Sequence, residues 1–204
     1  DGKVLRRVLR GERSVQFESW PLFRGSVAWS PDGTELALTA KSAGRDRLYV
    51  IDSNTGQVRR SFSLPCDALS YPAWSPTSDS VVVAGLQHGR TDLWLVDTGT
   101  GEQKRLTDDA WDEREASWSP DGRHVTFASD RLAPVVLQPA PPDSGYGRYG
   151  LYDLDLATGR VDSLLDTAGD DHNPVWSPDG RKVAFLGDRS GAMNLYLFDT
   201  DDHS

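Results

Sequence analysis

The chain alternates short hydrophobic runs with compact polar turns. The runs Ser80–Ala84 (Ser-Val-Val-Val-Ala) and Lys182–Leu186 (Lys-Val-Ala-Phe-Leu) are typical of the pattern. Runs of this length, rich in β-branched and aromatic residues and bounded by Gly, Pro and Asp, predict β-strands. No segment shows a sustained apolar repeat of 3.6 residues, so we expect helices to be scarce.

The string Trp-Ser-Pro recurs four times and divides the chain into similar units. Its tryptophans are Trp29, Trp74, Trp118 and Trp176. A second element, Leu-aromatic-x-x-Asp, follows each tryptophan and ends at Asp52, Asp97, Asp155 and Asp199. The spacing between the tryptophan and this Asp is identical in units one, two and four. It is longer in unit three, which therefore carries an insertion between its two signatures.

Each unit is predicted to form four short strands. The first strand ends at the Trp-Ser-Pro string, the second follows the turn, the third is the Leu-aromatic element and the fourth is more polar, as in Gln57–Phe62. Four-stranded units of about 45 residues are the signature of a β-propeller. We therefore expect an all-β fold with four four-stranded antiparallel blades in one domain over residues 1–204, at roughly 26–64, 70–108, 115–166, and 173–202 together with 3–9.

The two ends of the chain suggest how the ring closes. The opening Gly2–Arg7 resembles Gly56–Arg60, which lies at the start of a fourth strand, and unit four lacks a fourth strand of its own. Residues 3–9 can supply that strand and close a four-bladed ring, which leaves no exposed sheet edge. The alternative is that the four units are consecutive blades of a larger propeller.

Several of these motifs together resemble a known family. The pattern Leu106–Asp109, then Trp118–Arg123, then Phe127–Arg131 is similar to the WD40-like repeat of TolB-type propellers and to the propeller domains of prolyl oligopeptidase relatives. Unit four repeats it at Pro174–Gly180 and Gly187–Gly191. The resemblance implies a propeller fold and a periplasmic or extracellular protein. It does not choose between partner-binding proteins and domains of enzymes.

Recurrent residues are predicted to be scaffold, whereas function is expected where the units differ. The four tryptophans should pack between blades, and Asp32, Asp121 and Asp179 should accept hydrogen bonds from turn amides. Two expansions break the repeat: the segment Arg10–Gly25 and the insertion within Arg131–Tyr149. Because antiparallel strands alternate in direction, loops joining strands two and three and loops joining successive blades emerge on the same side of the disc, which we call the loop face.

The candidate binding residues are aromatic and charged side chains predicted on the loop face, next to the two expansions. Acidic residues also concentrate there, before the third and fourth Trp-Ser-Pro strings. Aromatic residues outside the repeat are plausible contact residues. The acidic ones could steer a basic peptide, hold a calcium ion through oxygen ligands or form a solvated rim, and their spacing matches no calcium-loop pattern. The predicted set is Trp20, Phe23, Tyr71, Trp111, Asp112, Glu113, Tyr146, Arg148, Tyr149, Asp171 and His172.

Composition limits the classes of partner and chemistry. The 22 basic and 31 acidic residues give a net charge of −9, which argues against nucleic-acid binding and favours a cationic partner. No run is long and apolar enough to insert into a membrane. The single cysteine, Cys66, is expected to be a buried filler. Catalytic motifs are missing, and we expect no cofactor and no metal site.

Two functional classes follow, with a third kept open. The first is a non-enzymatic propeller, monomeric, that binds a protein or peptide at its loop-rich, acidic face. The alternative is an accessory or gating domain of a larger enzyme, such as a serine peptidase of the prolyl oligopeptidase type. A purely structural repeat module is the third class.

Overall fold

All regular secondary structure in the described part of the chain is β-strand. The structure is a computed structural model that describes residues 26–131, 148–165 and 169–201. Blade 1 comprises β1 Val27–Trp29, β2 Glu35–Ser42, β3 Arg45–Asp52 and β4 Val58–Phe62; blade 2 comprises β5 Ala68–Trp74, β6 Ser80–Gln87, β7 Arg90–Asp97 and β8 Gln103–Arg105. Blade 3 comprises β9 Glu113–Trp118, β10 His124–Ser129, β11 Gly150–Asp155 and β12 Val161–Leu165; blade 4 comprises β13 Asp171–Trp176, β14 Lys182–Gly187 and β15 Asn194–Asp199.

The strands form four separate antiparallel sheets in which sequence neighbours pair. Blades 1 to 3 have four strands each, in the order of the chain, and blade 4 has three within the described residues. The predicted all-β fold of antiparallel blades is confirmed. Residues 3–9, predicted to supply the fourth strand of blade 4, lie outside the described residues, so closure of the ring stays a prediction. No helix in the described ranges is long and apolar enough to cross a membrane.

The Ser-Pro-Asp-Gly turns fold as the sequence predicts. In blade 1 the Gly33 amide donates to the Ser30 carbonyl over 2.9 Å, and Gly33 has a φ of 70°, which glycine adopts without steric cost. The Asp32 carboxylate accepts hydrogen bonds from the Ser30 hydroxyl (2.6 Å) and the Thr34 amide (3.0 Å). Asp121 and Asp179 make the equivalent bonds, so their predicted role at the turn amides is confirmed.

Each blade is apolar on both sides, and the sides pack in a fixed order. Residues on what we call the forward side, such as Leu48 and Val50 of blade 1, contact the next blade. Residues on the opposite, backward side, such as Val83 and Trp94 of blade 2, contact the preceding blade. The pattern repeats between blades 2 and 3 and between blades 3 and 4. Because both sides are buried, a run such as Val81–Ala84 is continuously hydrophobic rather than alternating.

The first strands of the blades line a shared axial cavity. β5 lies against β1 and β9, and β9 lies against β13. Equivalent residues of the four blades, Val27, Pro72, Ala116 and Pro174, border a cavity of about 710 Å³. The tryptophans and turn prolines of blades 2, 3 and 4 also line it, whereas those of blade 1 do not. Much of this lining repeats from blade to blade, as expected of scaffold.

The tryptophans of the repeat do not share one environment. Trp74 and Trp118 are buried between blades, with 7% and 9% of their surface exposed. Trp176 is half-buried, and its indole donates to the Thr126 hydroxyl of the preceding blade over 2.9 Å. Trp29 is 59% exposed, so the predicted packing between blades is wrong for this residue. Leu38 and Tyr49, on the same side of blade 1, are buried, so the exposure is confined to β1.

This difference allows a matched comparison of two residues at the same position of the repeat. We expect Trp118→Ala to lower the free energy of unfolding by about 3–5 kcal/mol, because it empties a packed site between blades. Trp29→Ala should cost under about 1 kcal/mol, because its side chain is largely exposed. Urea denaturation of both variants at low protein concentration measures the difference; equal losses would contradict the proposed packing.

Candidate functional site

Two kinds of loop meet on the loop face and are joined by paired hydrogen bonds. The Asp112 amide, in the connection from blade 2 to blade 3, donates to the Asp130 carboxylate over 2.8 Å. The Asp112 carboxylate accepts from the Thr91 amide of blade 2 over 2.7 Å. Asp170 repeats both bonds, with Asp188 and with the Tyr149 amide. Asp112 therefore ties adjacent blades together through both its amide and its carboxylate.

Three acidic residues near this face are fully buried and paired with arginine. Glu113 accepts from Arg131 over 2.9 Å, and Asp171 accepts from Arg189 over 2.8 Å. Asp92 accepts from Arg105 over 2.7 Å. Glu113 and Asp171 have no exposed surface, so a partner cannot touch them at the folded surface. These two predicted contact residues therefore belong to the scaffold. Their arginine partners supply the opposite charge that a buried carboxylate requires.

The ionisation of Glu113 is shifted by burial and only partly restored by its pairing with Arg131. Burial disfavours the carboxylate form and raises the pKa of Glu113 to about 7, although hydrogen bonds from Arg131 and from the Thr107 hydroxyl (2.7 Å) oppose this shift. The Arg131 guanidinium contacts Asp109 as well and lies over the rings of Phe127 and Tyr152. Arg131 is thus an organising residue at the base of the insertion in unit three.

Inner strands of three blades share a bulge close to the loop face. Tyr71, Glu115 and Asn173 all lie three residues before the tryptophan, and their φ angles are 52°, 58° and 52°. The pairing register shifts at each of these positions. A non-glycine residue in this left-handed region costs of order 1–3 kcal/mol and is often found at functional sites. Since the backbone is the same but the side chains differ, the bulge presents a different group from each blade.

A polar cluster on this face joins blades 3 and 4 around His172. Its Nδ1 lies 3.1 Å from the Glu115 carboxylate and its Nε2 lies 3.1 Å from the Asp170 carboxylate. Glu115 also accepts from the Asn173 amide over 2.9 Å. The Tyr149 ring packs on the imidazole at 5.1 Å between ring centroids. On the Tyr149 ring lies the Arg114 guanidinium, 4.0 Å from its centroid.

Charge pairing sets the ionisation of this cluster. The hydrogen bond with Glu115 raises the pKa of His172, and Asp170 acts in the same direction, while burial opposes them. Burial would raise the pKa of Glu115, but the hydrogen bonds from His172 and the Asn173 amide outweigh it and lower that pKa. Since both ring nitrogens face a carboxylate, the imidazolium with two donors is the form that satisfies both neighbours.

The other predicted site residues are distributed between surface and core. Arg148 is exposed, Trp111 and Tyr71 are half-buried, and Tyr149 is buried. Trp20, Phe23 and Tyr146 lie outside the described residues. Sequence reasoning did not select Arg114, Glu115 or the pairing arginines. The repeated Asp-Arg step, in Asp130-Arg131 and Asp188-Arg189, could have indicated the scaffold role of Glu113 and Asp171.

The described side chains of this face are mainly polar and aromatic. Within residues 26–131, 148–165 and 169–201 no group of three or more His, Cys, Asp or Glu side chains is arranged to hold a metal ion. Cys66 is half-buried, and burial raises the pKa of its thiol to about 11. The cluster around His172 offers hydrogen-bonding edges at the junction of two blades.

We expect stability to depend on pH through His172. The pKa of His172 is higher in the folded protein than in the unfolded chain. Its contribution to the free energy of unfolding is therefore fully present below about pH 6.5 and is lost as pH rises through the raised pKa. His172→Gln should lower the free energy of unfolding by roughly 1–3 kcal/mol at pH 6, because hydrogen bonds to charged groups are lost. The difference from the native protein should shrink by pH 9.

Urea titrations of the native protein and the variant are compared at each pH. Because Glu113 titrates in both proteins, the difference between their free energies of unfolding isolates the contribution of His172. His88→Asn is the matched control, because His88 is exposed in a turn with φ of 53°, which Asn tolerates. A difference that does not change with pH would refute the ionic role of His172.

Comparison with known proteins gives the family. The model of the TolB beta propeller domain matches residues 24–136, which is more than half of the chain. A protein of Francisella tularensis subsp. mediasiatica named Tol-Pal system protein TolB is 32% identical over 83 residues, which cover 40% of this chain and 16% of that relative. The match therefore spans a small part of the relative's length.

Solved structures show the same arrangement of blades. TolB from Acinetobacter baumannii superposes with a TM-score of 0.65 at 26% identity and covers 87% of this chain and 41% of its own. The putative TolB from Agrobacterium tumefaciens gives a TM-score of 0.70 at 22% identity, over 90% of this chain and 61% of its own, and shows likeness of fold. On the strength of the family model and the recurrent blades, this chain belongs to the TolB β-propeller domain family.

Proposed function

We propose that the chain is a non-enzymatic propeller domain that binds a protein or peptide at its loop face. The family and its relatives support this role, since the similar Francisella protein is named as a component of a Tol-Pal system. The periplasmic or extracellular location expected from the family resemblance forms part of the proposal. The match covers 16% of the length of the Francisella relative, so a binding role for the whole protein is likewise a proposal.

One observation carries the proposal. The bulge of the inner strand has the same backbone in blades 2, 3 and 4 but carries Tyr71, Glu115 and Asn173, and the Glu115 side chain is largely buried against His172. The residues just before these are Ser70, Arg114 and His172. A scaffold role would favour the same residue in each blade, as it does for the turn aspartates. Variation of chemistry on a constant, strained backbone is typical of a surface that recognises a particular partner.

The contact surface we propose surrounds these bulges. Trp111 and Tyr71 offer partly exposed aromatic surface, and Arg148 offers an exposed charge beside the insertion. Aromatic residues and arginine are the side chains that most often dominate binding energy. Trp20, Phe23 and Tyr146 are included in this surface on sequence grounds alone. Asp112, Glu113, Tyr149 and Asp171 are mostly buried and stabilise the loops that carry it.

The proposal of a cationic partner is based on the net negative charge of the whole chain more than on the acidic residues before the third and fourth Trp-Ser-Pro strings. Glu113, Asp109, Asp170 and Glu115 are all paired with arginine or histidine. Asp108 contacts Arg105 over 2.9 Å, yet three quarters of its side chain is exposed. The net charge of −9 remains available for steering a basic partner over longer distances.

The alternative role, an accessory domain of a larger enzyme, makes a different prediction about the parent gene. A serine peptidase of the prolyl oligopeptidase type would encode a hydrolase domain with its nucleophile elbow outside this segment. A parent without such a domain favours the binding role. The monomeric state expected from the sequence, with a closed ring of blades, forms part of the proposal.

The binding face can be tested by site-specific photo-crosslinking in periplasmic extract. We expect a crosslinker at residue 111 or 148 to capture a discrete protein partner. A crosslinker at Glu102, which is exposed in the Thr-Gly turn on the opposite side of the disc, is the matched control and should capture nothing comparable. Capture from Glu102 alone, or equally from all three positions, would contradict the assignment of the loop face.

Mutation gives the corresponding measure of affinity. Trp111→Ala should weaken binding of the captured partner by about tenfold or more, since truncation of a central aromatic residue costs roughly 2 kcal/mol. The exposed Glu102→Ala should leave the affinity unchanged. Thermal melts of both variants report whether folding is retained. Unchanged affinity in a folded Trp111→Ala protein would remove this residue from the proposed surface.

A further inference from the structure

His172 lies where blades 3 and 4 meet on the loop face, and it has a carboxylate at each ring nitrogen. The Glu115 carboxylate, from β9 of blade 3, lies 3.1 Å from Nδ1, and the Asp170 carboxylate, from the connection before β13, lies 3.1 Å from Nε2. A neutral imidazole has one N–H, so it can donate to one of these carboxylates and must turn a lone pair towards the other. The arrangement is therefore complete only when His172 carries a proton on both nitrogens.

The surroundings of the ring favour that charged form. The Tyr149 ring packs against the imidazole, and Asp171 and Arg189 form an ion pair with each other. The hydrogen bond with Glu115 is the main cause that raises the pKa of His172, the second carboxylate adds to it, and burial opposes both. The charged or titratable side chains on the elements that pack around the ring are Arg114, Glu115 and Tyr149 on blade 3 and Asp170, Asp171, Asp188 and Arg189 on blade 4.

Both carboxylates also hold a backbone amide of the other blade. Asp170, next to blade 4, accepts from the Tyr149 amide of blade 3 over 2.7 Å. Glu115, in blade 3, accepts from the Asn173 amide of blade 4 over 2.9 Å. The junction is thus tied in both directions, and His172 links the two carboxylates that make the ties. When the ring loses a proton, the carboxylate that faces its lone pair loses a hydrogen bond, and the tie that it makes across the junction is weakened.

The other end of the same junction, on the side of the turns, does not need a doubly protonated ring. There the Trp176 indole of blade 4 donates to the Thr126 hydroxyl over 2.9 Å, and this hydroxyl donates to the Asp153 carboxylate over 2.8 Å. The same carboxylate lies 2.7 Å from Nδ1 of His124. Because it meets a single ring nitrogen, a neutral imidazole protonated at Nδ1 satisfies it. Deprotonation of His172 therefore acts on the junction at the loop face, while the contacts on the side of the turns persist.

The residue at this position of the repeat differs among blades 2, 3 and 4. Blade 2 has Ser70, which carries no charge, and blade 3 has Arg114, which stays charged at any physiological pH. A histidine is the residue whose charge changes near physiological pH. We propose that His172 is a proton-operated clasp: the doubly protonated ring closes the junction of blades 3 and 4 at the loop face, and its deprotonation loosens that junction. The inference rests on the function proposed above, because the loop face is the surface proposed to bind the partner.

Nuclear magnetic resonance of the full chain tests the clasp without a partner. As pH rises from about 6 to about 9, the amide signals of Tyr149 and Asn173 should shift with the same midpoint as the ring of His172, and this transition should be absent in His172→Gln. The Thr91 amide, whose acceptor lies beside Glu113, is the control and should give the same curve in both proteins. Tyr149 and Asn173 amides that titrate alike in both proteins, or that do not titrate in the native chain, would overturn the clasp.

Affinity for the partner captured at residue 111 or 148 tests the regulation. Because the charged ring predominates below its raised pKa, the native chain should bind about fivefold or more tightly at pH 6 than at pH 9. His172→Gln should bind with the weaker affinity at both pH values, and His172→Arg, which stays charged, should lose most of the pH dependence. The control His88→Asn should behave like the native chain.

Two outcomes separate the clasp from the binding role itself. An equal pH dependence of affinity in the native chain and in folded His172→Arg and His172→Gln, verified by circular dichroism at each pH, would overturn the regulation and leave the binding role intact. Failure to capture any partner would count against the binding role, and the amide titration of the free chain would still decide whether His172 operates as a clasp.

Discussion

The structure depends on one constraint: a blade of this propeller is apolar on both sides and needs a neighbour on each. The four-stranded sheet of blade 2 buries Val81 and Val83 against the preceding blade and Val82 and Leu93 against the following one. Burial of one such side chain stabilises the fold by about 1.5–3 kcal/mol, so a blade cannot be stable with both sides in water. The axial cavity and the common orientation of the loops follow from this packing.

The constraint explains why the fold was predictable from the sequence. Packing between blades imposes the same residues at the same positions in every unit, so the Trp-Ser-Pro string and the Leu-aromatic element report directly on tertiary contacts. The turn aspartates were predictable for a similar reason, because their hydrogen bonds close within two residues. The environment of Trp29 was not predictable in this way. The repeat predicts the same environment for all four tryptophans, whereas Trp29 is exposed although Leu38 and Tyr49 on the same side of its blade are buried.

The candidate site was only partly predictable. Its location on the loop face follows from the alternation of antiparallel strands, but the state of individual side chains does not. Glu113 and Asp171 look like solvated acids in the sequence, since the arginines that pair with them come only after the following strand. The left-handed bulge at Tyr71 and Glu115 has no sequence signature, because neither residue favours that conformation. Glu115 and His172 belong to different units of the repeat and meet only because blades 3 and 4 are adjacent.

Hydrogen–deuterium exchange at low protein concentration tests most directly the claim that covered sides stabilise the blades. The account predicts slow exchange in β6, β7, β10 and β11, whose blades have neighbours on both sides, and faster exchange in β14, because the forward side of blade 4 is open. β14 and β10 form a matched pair, since each contains six residues and lies between two strands of its sheet. Protection of β14 equal to that of β10 at low protein concentration would contradict the account, because it would mean that the forward side of blade 4 is covered as well.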